Sequence, residues 1–136
     1  MVALGLVVAR YDKGRSVPER MAESAREAAA ARGAEVVATV EVPGSYDTPL
    51  AADRLARRED VEAVAVIGAI VTGDTDHDQV IGHAAAHKLA DVSLDRDTPV
   101  TLGITGPGQS AAEADERADK GAEAVESAID LAEELP

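Results

Sequence analysis

The chain has no cysteine, no tryptophan and no phenylalanine, and only two tyrosines, Tyr11 and Tyr46. Without cysteine there is no disulfide framework, no thiol nucleophile and no cysteine-based metal site. Cations are scarce too: 13 Lys and Arg stand against 26 Asp and Glu, for a formal charge of -13. A surface of that sign repels phosphate backbones, so nucleic acid is not an expected partner. The longest uncharged apolar run, residues 63–71, is less than half of what a membrane span needs. The first strand is expected from Val2, which leaves no room for a basic leader. A membrane is therefore not expected as a partner, and the expected compartment is the cytoplasm.

What is present is an Ala-, Asp- and Glu-rich chain whose apolar fraction, 46%, is too high for a disordered acidic polymer. At 136 residues it is read as one domain, residues 1–136. The acidity fits adaptation to a salt-rich cytoplasm, where salt screens the self-repulsion of such a surface.

The patterning centres on residues 61–87. Residues 64–71 form a β-branched and alanine run that reads as a central parallel strand buried on both faces. Residues 72–78 then gather two threonines, a glycine, three aspartates and His77, and a helix is expected from His77 to about Val92. Residues 2–9 form a second buried strand. A helix follows from a capping box at Ser16 to Glu19, with its stripe Val17, Met21, Ala25, Ala28 and Ala29 stopped by Gly33. Residues 34–42 are a third strand, broken by Pro43-Gly44. Thr48-Pro49 reads as an N-cap opening a helix to about Arg58. Residues 100–105 are the fourth strand, and Gly106 to Gln109 a strand-to-helix loop. A capping box from Ser110 to Glu113 starts one long C-terminal helix striped by Ala114, Ala118, Ala122, Val125, Ile129 and Ala132. Four β-α units with short connections predict an α/β, three-layer, flavodoxin-like fold: a four-stranded parallel sheet with helices on both faces. A sheet this small has exposed edges, so neighbouring subunits are expected to contribute stability.

Ligands in such sheets bind beyond the carboxyl ends of the strands. Both tyrosines fall in loops there, where a ring can stack on a planar heterocycle. His77 opens a helix at the same edge and is placed to shuttle protons. His83 and His87 share a helical face, but no third ligand accompanies them and no metal site is expected. Arg117 and Lys120 lie one turn apart, either in a solvated ion-pair face or as an anion site. Gly73, Asp74 and Thr75 precede a helix start and offer backbone N–H groups to an anion. Neither phosphate-loop signature, GxxxxGK[ST] nor GxGxxG, occurs.

Several stretches in combination resemble the archaeal branch of the 6,7-dimethyl-8-ribityllumazine synthase family. They are Val7-Val8-Ala9-Arg10-Tyr11-Asp12, Val42-Pro43-Gly44-Ser45-Tyr46-Asp47-Thr48-Pro49, Gly73-Asp74-Thr75-Asp76-His77-Asp78, Pro99 through Gly108, and Glu116-Arg117. The likeness covers nearly the whole chain. It implies a transferase of riboflavin biosynthesis that joins 5-amino-6-ribitylaminopyrimidinedione to 3,4-dihydroxy-2-butanone 4-phosphate, with no metal or organic cofactor. It also implies a homo-oligomer built from pentamers, which in many members close into a 60-subunit shell.

By position the resemblance gives Tyr11 the stacking role, Ser45, Tyr46 and Asp47 the ribityl chain, and Ile70 and Val71 the side of the heterocycle. Gly73, Asp74 and Thr75 match the phosphate-side loop, His77 the proton-transfer histidine, and Arg117 the phosphate-binding arginine. Leu102 falls where a neighbouring subunit closes the pocket, and Lys120 matches a family lysine across a short gap. Tyr11 replaces the usual Phe, Asp12 the usual Asn, and Asp47 a common Glu. The rival readings are a non-catalytic flavin or lumazine carrier on the same scaffold and a flavodoxin-like signalling receiver. A receiver needs an acidic cluster after the first strand and a lysine after the last, but here Lys13 and Arg15 crowd the first position and Gly106-Pro107-Gly108 the last.

Overall fold

A computed structural model describes residues 1–10 and 17–136. Tyr11, Asp12 and the Ser16 end of the first expected capping box lie outside the described residues. The elements are β1 (Ala3–Ala9), α1 (Val17–Ala31), β2 (Glu35–Val42), a 3-10 turn (Ser45–Asp47), α2 (Thr48–Ala56), β3 (Ala63–Val71), α3 (His77–Arg96), β4 (Val100–Gln109), α4 (Ala111–Glu116) and α5 (Lys120–Glu134). All pairings are parallel and the strand order is β2-β1-β3-β4. The expected α/β architecture is present, with β2 and β4 at the edges.

The two central strands carry apolar side chains at successive positions because both their faces are covered. Leu4, Leu6 and Val8 with Ala63, Ala65 and Ile67 pack under α1 and α5. Val7 and Ala9 with Val64, Val66 and Ile70 pack under α2 and α3. The α1 stripe expected from spacing, Val17, Met21, Ala25, Ala28 and Ala29, is buried throughout. β2, with one side open, is mostly half-buried, with Glu35, Thr39 and Glu41 exposed and only Val42 buried.

Several boundaries differ from expectation. Thr48 is the first residue of α2 rather than its N-cap, and its hydroxyl donates to Ser45 O at 2.8 Å. α3 runs one turn beyond Val92 and stops at Asp97, whose φ of 51° is left-handed. The expected loop at Gly106–Gln109 belongs to β4. Pairing is interrupted between Ala69↔Thr105 and Val71↔Gln109, and it resumes with Thr72 N donating to Gln109 O at 2.9 Å. The surplus residues bulge out of the ladder. Gly106 is fixed there by space and conformation alike: its φ is 91°, and a Cβ would collide with the Ile70 carbonyl oxygen.

The single C-terminal helix is also corrected. It is two helices joined by a turn over residues 117–119, although the apolar stripe continues into the same core. α5 is drawn onto α1 at its first turn. A Cβ on Gly121 would collide with Met21 O, and Ala122 N donates to Ser24 Oγ at 2.9 Å. Tertiary docking of this kind overrides the helix propensity of an alanine- and glutamate-rich segment.

Candidate functional site

The carboxyl ends of β2 and β3 open into a cleft of about 440 Å³. One wall is the turn after β2, with Gly44, Ser45 and Tyr46. The floor is the end of β3, with Ala69, Ile70 and Val71. The far wall is the loop Gly73, Asp74 and Thr75 with the first turns of α3, from which His77, Asp78 and Ile81 face the space. The crossover geometry of a parallel sheet brings these separate segments to one edge.

Each wall is held by identifiable contacts. Ser45 is buried, and a Cβ on Gly68 would come within 3.2 Å of its hydroxyl, so that glycine leaves it room. Tyr46 is 66% exposed and offers the one aromatic ring among the described residues. Asp47 is not part of the cleft lining. One of its carboxylate oxygens accepts from Gly44 N at 3.0 Å and closes the turn that carries Tyr46. His77 is exposed at the cleft, and its backbone N–H donates to Thr75 Oγ1 at 3.3 Å. Asp76, the N-cap of α3, makes no side-chain capping bond. The first turn of α3 lines the cleft, so its positive dipole end lies beside it, although His77 N already donates to Thr75 Oγ1 and Gln79 N and Val80 N to Asp76 O.

Asp78 is a cleft residue that sequence reasoning assigned no role of its own. It is buried, and its Oδ2 accepts from Thr72 Oγ1 at 3.3 Å and from Gly108 N at 3.0 Å. One carboxylate thus ties the end of β3, the start of α3 and the β4 bulge together. Nothing in the spacing of Asp78 distinguishes it from the solvated aspartates beside it, since Gly108 reaches it only through the bulge.

Leu102, Arg117 and Lys120 are not brought into this cleft within one chain. Leu102 lies on edge strand β4 and is 46% exposed. Arg117 and Lys120, with Thr105, Gly106, Glu116, Asp119 and Glu123, line a second, more open cleft of about 500 Å³. Arg117 occupies the turn between α4 and α5. Its Nη1 donates to Gln109 Oε1 at 2.7 Å, and its Nη2 lies 3.5 Å from Glu113 Oε2. The Ser110 backbone N–H, the Ser110 hydroxyl and the nearby Arg117 charge hold the Glu113 carboxyl below its ordinary range. Lys120 Nζ is 3.7 Å from Glu123 Oε2. Neither contact is a close bidentate pair, and both cations retain donors for an added anion.

No group of three or more His, Asp or Glu side chains among the described residues is arranged to hold a metal. His83 and His87 are exposed on α3, and His87 Nε2 lies 3.8 Å from Asp91 Oδ2. No helix is long and apolar enough to cross a membrane among the described residues.

Comparison with known proteins agrees with the resemblance. The family model for 6,7-dimethyl-8-ribityllumazine synthase matches residues 1–135. A protein of that name from Halorubrum lacusprofundi is 70% identical, with 99% of each chain covered. Its namesake in Halobacterium salinarum is 66% identical over 99% of this chain and 100% of its own. One from Methanocaldococcus jannaschii is 44% identical over 99% and 94%.

Proposed function

The chain belongs to the 6,7-dimethyl-8-ribityllumazine synthase family, and from that premise we propose how its residues divide the work of that transferase reaction. The enzyme condenses 5-amino-6-ribitylaminopyrimidinedione with 3,4-dihydroxy-2-butanone 4-phosphate. The 5-amino nitrogen attacks the ketone and water leaves as the imine forms. Inorganic phosphate is then eliminated, and the ribitylamino nitrogen closes the second ring with loss of another water.

The observation that carries this assignment is one cleft holding Tyr46, the Ile70–Val71 strand end, the Gly73–Thr75 loop and His77. Ile70 and Val71 supply an apolar edge for the pyrimidine, with Tyr46 and Ser45 beside the ribityl chain. Asp47, outside the cleft lining, supports that side by closing the turn that carries Tyr46. Tyr11 is assigned the stacking role from its matching motif. His77 moves protons during imine formation and elimination. Holding two reactive partners side by side supplies much of the acceleration, so the imidazole has a modest share.

The phosphate needs a cation, and no Lys or Arg lines the cleft among the described residues. Arg117 and Lys120 stand in the other cleft, between the end of β4 and the α4–α5 turn. That division supports a site completed between subunits, in which one copy lends Leu102, Arg117 and Lys120 to the cleft of the next. The assembly is a pentamer or a multiple of it, acting in a salt-rich cytoplasm. Purified protein mixed with both substrates in molar salt is expected to form the fluorescent lumazine, with one phosphate released per product. Binding of the lumazine without turnover would favour the carrier reading instead.

A further inference from the structure

Gln109 is 1% exposed, ends β4 and bonds to residues of both clefts, Ile70 of the first and Thr105 and Arg117 of the second. Every polar atom of its side chain is committed. Nε2 donates to Thr105 Oγ1 at 2.8 Å and to Ile70 O at 3.2 Å, while Oε1 accepts from Arg117 Nη1 at 2.7 Å. The reverse amide orientation would set N–H against a guanidinium and oxygen against a carbonyl, so the three partners select this one. Arg117 is otherwise half exposed, with Glu113 as its more distant ionic neighbour. A long side chain at a helix break loses rotamer freedom when a buried group fixes one of its nitrogens. The group that fixes it is also uncharged. An amide oxygen orients the guanidinium without neutralising it, and the remaining N–H groups stay available to fork an anion.

We propose that Gln109 is a positioning residue for phosphate recognition, aiming Arg117 from a buried amide that is itself anchored on Thr105 and on the carbonyl of the cleft residue Ile70. The inference rests on Arg117 being the phosphate-binding arginine. It also explains why β4 continues past its bulge: only the resumed register returns Gln109 to Ile70. One buried side chain thus links the floor of a subunit's own cleft to the arginine in its α4–α5 turn.

The test is steady-state kinetics with each substrate varied in turn, plus inhibition by inorganic phosphate, on the assembled enzyme in molar salt. Gln109→Met removes the acceptor while keeping volume. Thr105→Val removes one anchor of the amide and serves if the first variant folds poorly. Each is expected to raise the KM for the butanone phosphate and the inhibition constant of inorganic phosphate by about 3- to 10-fold, the scale of one lost hydrogen bond. KM for the pyrimidine and kcat should stay within about twofold, because those contacts are made by other residues. In an Arg117→Ala background, Gln109→Met should add nothing further. Equal damage to both Michaelis constants and kcat, or full additivity with Arg117→Ala, would overturn the positioning role. If Arg117→Ala alone leaves the phosphate constants unchanged, the phosphate reading of Arg117 falls and takes this inference with it.

Discussion

His77, exposed at the first residue of α3, has its place set by backbone rather than by a buried network. Its removal leaves the Thr75 contact intact, since that bond uses the main-chain N–H. His77→Ala is therefore expected to keep the assembly and both Michaelis constants close to the parent. Its kcat should fall by roughly 10- to 100-fold, an acid-base share on the low side of the usual range. Single-turnover kinetics on protein of unchanged size measures it, and complete loss of turnover would contradict a reaction driven largely by positioning. The neighbouring Asp78 has a different kind of role. Buried and already accepting two hydrogen bonds, it holds the cleft wall rather than exchanging protons with substrate. Adjacent residues in the sequence thus have separate duties, decided by which one the helix turns inward.

At the level of elements, α2 and α3 are joined by one carboxylate. Asp53 on α2 accepts from Arg96 Nε at 2.7 Å and from Arg57 Nη2 at 2.6 Å. Those hydrogen bonds, Arg96's foremost and then Arg57's, lower the Asp53 carboxyl from 3.8 to about 2. A depressed acid stabilises the fold above its unfolded-state value, and the contribution disappears as pH falls through the folded-state value. Asp53→Asn should accordingly lower Tm at about pH 6, by the equivalent of about 1 kcal/mol after solvent screening. The gap between parent and variant should close as pH drops from about 4 toward 2. Thermal melts across that range decide it, and a gap that persists at the acid end would place the loss in packing rather than charge. The joint lies at the last residue of α3, the end opposite His77, so its loss is expected in stability rather than in turnover.

For the whole molecule, surface charge governs how stability depends on the solvent. Ion pairs such as Arg20–Asp115 and Arg32–Asp130, both at 2.8 Å, use some of the acids. With twice as many carboxylates as cations in the chain, repulsion remains. At molar salt the screening length falls to about 3 Å, and that repulsion is largely removed. Tm is expected to rise through a salt series from dilute buffer to molar concentration, with melting scans as the measure; a flat or falling series would remove the halophilic reading of the composition. The high identity to proteins from the halophilic archaea Halorubrum and Halobacterium accords with that reading. Light scattering on the same samples reports assembly size, and a size that rises with salt would show that acidic faces oppose association until they are screened.

The strand count, the parallel sheet, the apolar stripes of α1 and α5 and the placing of Tyr46, Gly73 to Thr75 and His77 at one edge were readable from local patterns, while Ser45, Ile70 and Val71 were named only through the family resemblance. Hydrophobic period, capping pairs and strand-end loops are local signals, and in a parallel sheet every strand end arrives on the same side. Tertiary structure alone decided the rest. β4 resumes its pairing beyond Gly106–Gly108, the C-terminal helix breaks at Arg117, and Gln109 turns from a loop residue into a buried amide between Ile70 and that arginine. Each of these depends on a partner far along the chain, and no local pattern encodes the register or docking that brings such partners within hydrogen-bond reach.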